Sequence, residues 1–280
     1  MTSPSWDDAC LTSEVLAERG QPEPRLLRGF SAYLVAKNKR ISTILKEDPN
    51  LIQLKRGLFA RNRSNNGKAW MSYVNTSGIL LLIPRRDITK LSVTAQDELG
   101  GMRRRFVLII HNSLQTELLR KQFSRILERT PVIRVRPGLL LAPQIPTSRY
   151  RKYEGVLQRP SKLLTKLASL GSPVWYVPRV EIIHPKAHEV IEGFMRTTIE
   201  HRARRIVQMC KKLYIDLKQP PEGLTHPTVV QKRLNRIKRH LRYLRWQSRF
   251  FKEELGMDLQ MLVNRALSAA SRVQKQVKKM

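Results

Sequence analysis

The stretch RRRFVLIIHNSLQTELLRKQFSRILER, residues 103–129, decides the central part of the fold. Residues 103–110 predict a strand, because three arginines lead into the apolar and β-branched run of residues 106–110, which is typical of a buried strand. After Ser113, leucine, phenylalanine and isoleucine recur at spacings of three and four residues, which predicts an amphipathic helix ending near Arg129. The change of period indicates a β-α unit.

The following residues extend this unit. Residues 132–135 and 139–142 predict a hairpin that turns at Arg136-Pro137-Gly138, residues 159–170 predict a second helix, and residues 174–183 predict a closing strand. The order β-α-β-β-α-β is that of a ferredoxin-like domain. We therefore expect residues 103–184 to form such a domain.

The preceding region, residues 25–100, predicts a winged helix. Apolar side chains at helical spacing favour helices over residues 25–38, 41–46 and 49–59, and Gly78 would end a helix over residues 68–78. Residues 79–83 and 88–93 then predict a hairpin with its turn at residues 84–87. Helices followed by a basic hairpin are the layout of a winged helix-turn-helix domain.

The two ends of the chain differ sharply in character. Residues 1–24 carry five acidic side chains against one arginine and predict an acidic arm, either frayed or folded back on a basic surface. Residues 185–280 show no strand pattern, and they predict helices over residues 186–218, 226–255 and 259–279. The expected class is therefore α+β, with a C-terminal basic helical domain.

The charge of the chain points to a polyanionic partner. The sequence has 53 Lys and Arg against 22 Asp and Glu, a formal net charge of +31. Such an excess attracts phosphate backbones and gains affinity by releasing their counterions. Double-stranded DNA is the favoured partner; RNA, a larger nucleoprotein complex and an anionic membrane surface are the alternatives.

Two groups of residues are candidates for DNA contact. A winged helix would present its recognition helix and wing through Arg61, Arg63, Lys68, Ser72, Tyr73, Asn75, Arg85 and Arg86. A run without acids between residues 232 and 252 would hold phosphates through Lys232, Arg233, Arg236, Arg239, Arg242, Arg245 and Arg249. The alternative for this run is pairing within the fold to acids such as Glu189, Glu192 and Glu200.

Signals for catalysis are weak. His184 and His188, with Glu189 and Glu192 beside them, have a spacing that could hold a metal, but Pro185 interrupts the helix and no Cys or Asp completes a ligand set. Cys10 and Cys210 are far apart, which fits a reducing compartment. We predict no enzyme activity, no cofactor and no metal site. No signal peptide or membrane span is predicted, and the expected location is cytoplasmic and nucleoid-associated.

Several stretches resemble known regulators. SYVNTSGILLLIPRRDITKLSVTAQDELGG, residues 72–101, resembles the end of the winged helix in PaaX-type transcriptional regulators, and residues 103–127 resemble the opening of their Cas2-like domain. The segments VWYVPRVEII and RLNRIKRHLRYLRWQSRFF, residues 174–183 and 233–251, are similar to the N-terminal domain of ChrB-type chromate-resistance regulators. These resemblances imply a homodimer that recognises a palindromic operator.

One position departs from the nuclease pattern of Cas2 proteins. Asn112 stands where those proteins have an aspartate after the first strand, and an amide lacks the charge that a divalent cation requires. This favours a dimerising or scaffolding role over cleavage. An architectural subunit of a nucleoprotein complex and an RNA-binding factor remain the alternative functions.

Overall fold

A computed structural model describes residues 23–62, 69–74, 76, 78–88, 102–112, 114–184, 186–219 and 227–278. The fold is α+β, as expected, with one mostly antiparallel sheet and several helices. The described strands are β1 Arg25–Leu26, β2 Phe30–Ala36, β3 Leu51–Lys55, β4 Leu58–Asn62, β5 Ile79–Pro84, β6 Met102–His111, β7 Ile133–Arg136, β8 Leu139–Pro143 and β9 Val174–Ile183. The described helices are α1 Lys39–Glu47, α2 Arg85–Ile88, α3 Glu117–Arg129, α4 Thr147–Tyr150, α5 Pro160–Ser169, α6 Ala187–Lys218, α7 Pro227–Leu255 and α8 Gln260–Lys278. Short 3₁₀ turns cover Ala69–Tyr73 and Arg151–Tyr153.

The sheet repeats one strand order in its two halves. The order across the sheet is β3-β4-β2-β5-β9-β6-β8-β7, with β1 parallel to the start of β9. From one edge, the first half of the sheet has the order β3-β4-β2-β5. From the other edge, the second half has the order β7-β8-β6-β9, which is the same arrangement of first, second, third and fourth strand. Each half has a helix after its first strand. The halves join where β5 pairs antiparallel with β9, from Leu81 opposite Ile183 to Pro84 opposite Val180.

The chain divides into two compact units. A sheet unit contains the described parts of residues 1–115, 135–144 and 164–191, and a helical unit contains those of residues 116–134, 145–163 and 192–280. One core cluster of the sheet unit gathers side chains from β2, α1, β4 and β5, including Leu34, Leu45, Phe59 and Leu81. Burial of this apolar surface is the main stabilising contribution to the unit.

The winged-helix prediction is wrong for the described part of residues 25–88. The helices predicted over residues 25–38 and 49–59 are strands β1 and β2 and the hairpin of β3 and β4, and only α1 is helical as expected. The recognition helix predicted over residues 68–78 is a 3₁₀ turn at Ala69–Tyr73, and the wing turn is the short helix α2. Residues 31–36 are all buried, so β2 lacks the alternation that would have distinguished it from a helix.

The C-terminal half follows its predicted elements closely. Helices α6, α7 and α8 begin and end within one residue of their predicted bounds. Between Met102 and Ile183 the described order is strand, helix, hairpin, helix, strand, with α4 and a 3₁₀ turn inserted before α5. The predicted acidic arm lies outside the described residues except for Glu23 and Pro24. None of the described helices is long and apolar enough to cross a membrane.

Helix α3 ends with every one of its terminal carbonyls hydrogen-bonded. Its last four carbonyl groups have no partner within the helix. The carbonyl of Ile126 accepts from the Thr130 hydroxyl at 3.0 Å, and that of Arg129 accepts from the Gln158 amide at 2.6 Å. The side-chain amide of Gln247, on α7, donates to the carbonyls of Leu127 and Glu128 at 3.3 and 2.9 Å. Gln247 therefore fixes α7 against the end of α3.

Candidate nucleic-acid interface

A straight row of cations runs along the outer face of α7. We call it the α7 stripe; it consists of Lys238, Arg242, Arg245, Arg249 and Lys252. At about 100° per residue, alternating spacings of four and three keep these side chains within about 80° of the helix circumference, over a length of about 21 Å. The stripe lines a groove of about 550 Å³ together with Trp246, Gln260 and Gln274.

Acidic partners are confined to one end of the stripe. The guanidinium of Arg249 bonds the Glu253 carboxylate at 2.6 Å, and the ammonium of Lys252 bonds Asp258 at 2.6 Å. Within the described chain, no acid pairs with Lys238, Arg242 or Arg245, which are all exposed. The N-terminal half of the stripe, from Lys238 to Arg245, therefore carries uncompensated positive charge.

Glu253 is held in its ionised form. Hydrogen bonds from Lys152, Arg249 and Tyr153 lower the pKa of its carboxyl to about 2. Lys152 and the Tyr153 hydroxyl lie 2.6 and 2.7 Å from the Glu253 carboxylate. A phosphate approaching the C-terminal end of the stripe would meet this negative charge, so the anion-binding part is the segment from Lys238 to Arg245.

An aromatic cluster supports the stripe from beneath. The Tyr153 ring meets Phe250 at 5.0 Å and Trp246 at 6.3 Å between ring centroids, both edge-on, and Phe250 contacts Phe251 at 5.7 Å. Phe250 and Phe251 are buried. Buried aromatic residues contribute large apolar areas and fixed geometry. They hold this part of α7 rigid under its cations.

The α7 helix is also fixed by a polar network at α3. The guanidinium of Arg202 on α6 donates to the Gln247 side-chain oxygen and to the carbonyl of Leu127, the latter at 3.0 Å. The ring of His240 lies 2.9 Å from the Glu128 carboxylate. Burial alone would raise the pKa of Glu128, but His240 and the neighbouring arginines hold it below its ordinary value. The stripe thus stands on a helix whose opposite face makes buried contacts.

The other cations predicted on α7 divide into two kinds. Lys232, Arg236 and Arg239 are exposed without an acidic partner in the described chain, but they lie on a neighbouring face of the helix and outside the stripe. Arg233 is bonded to Asp216 at 2.6 Å, so its charge is compensated within the unit.

The acids considered as partners for α7 are engaged elsewhere. Glu189, Glu192 and Glu200 bond to Lys186, Arg196 and Arg204, each on the same helix or the turn before it. The possibility of α7 pairing with these three carboxylates is therefore wrong. Lys238 and Lys252 belong to the basic run predicted between residues 232 and 252, and their four-and-three spacing to Arg242 and Arg249 places them in the stripe.

The described candidates from the first region do not form one surface that could contact bases. Arg63, Lys68 and Asn75 lie outside the described residues. The Arg61 guanidinium donates to the Tyr73 hydroxyl at 3.0 Å, and that hydroxyl donates to Asp48. Burial and the bond to Asp48 raise the pKa of Tyr73 to about 12. Arg61 and Tyr73 thus belong to an internal hydrogen-bond chain.

The remaining candidates of that region lie apart from this chain. Ser72 is exposed on the 3₁₀ turn. Arg85 bonds the buried Glu181 at 2.7 Å, and Arg86 lies 3.8 Å from Asp87. These two arginines line a cavity of the sheet unit and form no wing tip.

The histidines at the start of α6 have ordinary structural contacts. The Nδ1 atom of His184 accepts the backbone amide of Lys186 at 2.9 Å, and His188 is exposed. Burial and the charge of Lys37 lower the pKa of His184. Among the residues that the structure describes, no three His, Cys, Asp or Glu side chains are grouped so that they could hold a metal ion.

Comparison with known proteins adds no relative. No protein-family model matches the chain, and no curated protein or solved structure is significantly similar to it. The resemblance to PaaX-type and ChrB-type regulators therefore stays a prediction.

Proposed function

We propose that the protein binds the phosphate backbone of double-stranded DNA through the α7 stripe, without a catalytic site of its own. The observation that carries this proposal is the row of Lys238, Arg242 and Arg245, which are exposed on one helix face without acidic partners in the described chain. Three adjacent like charges repel one another unless an anion neutralises them. A phosphate backbone supplies such anions at regular intervals.

The proposed mode of binding is independent of base sequence. Contacts to phosphates position a protein on DNA but carry no sequence information. The helix that we expected to recognise DNA bases is a 3₁₀ turn at Ala69–Tyr73 in the structure. We therefore favour an architectural role in a nucleoprotein complex over regulation of a defined operator.

The fold is consistent with a scaffolding role. We infer a ferredoxin-like strand order for the strands between residues 102 and 183, since β9-β6-β8-β7 corresponds to the order 4-1-3-2. We also infer that residues 25–84 repeat this plan, with the 3₁₀ turn at Ala69–Tyr73 in place of the second helix. Homodimer formation stays part of the proposal; sedimentation of the purified chain tests it.

The test is a salt series with short DNA duplexes of unrelated sequence. Each neutralised phosphate contributes about −0.9 to the slope of log K against log salt, so three stripe cations give a slope of about −2.7 or steeper. In the Arg242→Gln/Arg245→Gln variant the slope should become shallower by about 1.8. Fluorescence anisotropy with labelled duplexes measures both values.

A matched control distinguishes the stripe from general charge. The Arg40→Gln/Arg56→Gln variant removes the same charge from exposed positions of the sheet unit, and its slope should equal that of the parent. An unchanged slope in the stripe variant would refute the proposal. Tighter binding of an RNA duplex of the same sequence would refute DNA as the preferred partner, because A-form RNA differs in groove shape and carries 2′-hydroxyls.

A further inference from the structure

A second basic feature lies in the sheet unit. A cavity of about 470 Å³ is lined by four arginines, Arg28, Arg85, Arg86 and Arg179. Its other walls are largely apolar or aromatic and include Leu26, Leu27, Tyr33, Pro84, Val177 and Pro178. A cavity of this size with a few convergent charged groups on an apolar lining has the character of a small-molecule site.

The cavity lies where β9 changes its neighbour. On one edge, Trp175 and Tyr176 of β9 pair with β1, and Val180 to Ile183 pair with β5. On the other edge, Leu108 of β6 faces Val177 and Phe106 faces Val180, so β9 has one extra residue between them. This is a β-bulge, a device that redirects side chains at functional sites.

Arg179 occupies the bulge in a strained conformation. Its φ is 56°, and among the described residues other than glycine it alone has a positive φ. This left-handed backbone conformation costs an L-residue with a Cβ atom about 1–2 kcal/mol, whereas glycine adopts it without that cost. In this backbone conformation Arg179 lines the cavity. Residues in strained backbone conformations are concentrated at ligand sites.

The arginines differ in their charge partners. Glu181, which is buried, bonds Arg85 at 2.7 Å, and the buried Asp87 lies 3.8 Å from Arg86. Arg28 and Arg179 are exposed and have no acidic partner in the part of the chain that the structure describes. Two uncompensated cations match a phosphomonoester, which carries a charge of about −1.5 to −2 at neutral pH.

We propose that this cavity binds a phosphomonoester attached to a flat, apolar group, which is the chemistry of a nucleotide. Guanidinium groups hold phosphate oxygens through paired hydrogen bonds, and the accessible side chains of Leu26, Leu27 and Pro178 offer apolar surface for a base or sugar. The nucleotide is either free in solution or the 5′-terminal residue of a nucleic-acid strand. The cavity belongs to the sheet unit and the α7 stripe to the helical unit, so either proposal can fail alone.

The first experiment is calorimetric titration of the full chain with adenosine monophosphate, adenosine and inorganic phosphate. Adenosine monophosphate should bind more tightly than either of the other two. Its affinity should fall below about pH 6, where the phosphate takes up its second proton. Equal binding of adenosine and adenosine monophosphate would overturn the proposal.

Variants of the two unpartnered arginines locate the site. Arg28→Gln with Arg179→Gln should lower the affinity for adenosine monophosphate by at least about tenfold, since charge-assisted hydrogen bonds are lost. Arg40→Gln serves as the control and should leave the affinity unchanged. Arg179→Gly should weaken binding while raising the urea midpoint, because glycine relieves the strain. Retained affinity in the double variant would refute the assignment of the site.

A second arm identifies the source of the nucleotide. In the Arg242→Gln/Arg245→Gln background, 5′-phosphorylated and 5′-hydroxyl single strands of one sequence are compared. Tighter binding of the phosphorylated strand, lost on Arg28→Gln/Arg179→Gln substitution, supports a strand terminus as ligand. Equal binding of both strands, with adenosine monophosphate still bound, supports a free nucleotide. Absence of binding to all phosphorylated probes would overturn the proposal.

Discussion

Replacement of Gln247 by leucine should destabilise the helical unit strongly, although the two side chains have similar volume. Gln247 is 1 % exposed. Its side-chain amide donates to the carbonyls of Leu127, Glu128 and Thr130, at 3.3, 2.9 and 3.1 Å, and its oxygen accepts from Arg202. Leucine offers neither the donors nor the acceptor.

The magnitude follows from the groups left without a partner. The Leu127 carbonyl keeps the Thr130 amide at 3.2 Å and the Arg202 guanidinium at 3.0 Å. The carbonyls of Glu128 and Thr130 lose the Gln247 amide, and one guanidinium N–H of Arg202 loses its acceptor. A buried polar group without a partner costs about 1–3 kcal/mol, with charged groups at the upper end. We expect the free energy of unfolding to fall by about 3–5 kcal/mol.

Urea denaturation followed by far-UV circular dichroism measures this change. Gln231→Leu on the exposed face of α7 is the matched control, and it should change the free energy of unfolding by no more than about 0.5 kcal/mol. A loss below about 1 kcal/mol in Gln247→Leu would show that the end of α3 finds other partners, and the account of how α7 is fixed would then be wrong.

Three further outcomes are expected. The pKa of Glu253 is lowered from its ordinary value of 4.5 to about 2, so its ionised form stabilises the fold above pH 4.5, and this contribution is lost as the pH falls toward 2. Glu253→Gln should therefore make the free energy of unfolding depend less on pH between 4.5 and 2. Identical pH profiles of the parent and the variant would contradict the assignment. Gly138→Ala should lower the urea midpoint more than Gly171→Ala. Both glycines have positive φ, of 77° and 75°, but only at Gly138 would a Cβ lie 2.6 Å from the His111 carbonyl oxygen. Equal shifts of the urea midpoint in the two variants would exclude that clash. Tyr73→Phe should reduce the free energy of unfolding by about 1 kcal/mol, because the hydroxyl joins Arg61 to Asp48, and an unchanged midpoint in thermal denaturation would argue against this bridge.

The sequence predicted the C-terminal helices well and the first region poorly, for a physical reason. In α7, buried apolar residues such as Leu234, Ile237 and Leu244 recur at three and seven residues between exposed cations, so the helical period is legible. Strand β2 is buried on both faces, so its run of Ala32 to Ala36 shows no alternation of apolar and polar residues and resembles part of a buried helix. The pairing of β2 with β4 and β5 depends on residues far along the chain, which local patterns do not contain.

The candidate site was predictable in its charge but not in its geometry. The run of cations near residue 240 indicates a phosphate-binding helix, and the structure adds which members have acidic partners. Arg233 could not be distinguished from Arg242 in the sequence, because the carboxylate of Asp216 that compensates it comes from another helix. The cavity beside Arg179 was also out of reach, since it results from a bulge in the pairing of β9.

The junction of β5 with β9 has a consequence for how the protein behaves in dilution. Two separate chains that paired along such an edge would associate in a concentration-dependent equilibrium. Here both partners are covalently connected, so they meet at a local concentration set by the intervening residues. The continuous sheet therefore does not depend on protein concentration, and among the described strands β3 and β7 stand at its edges.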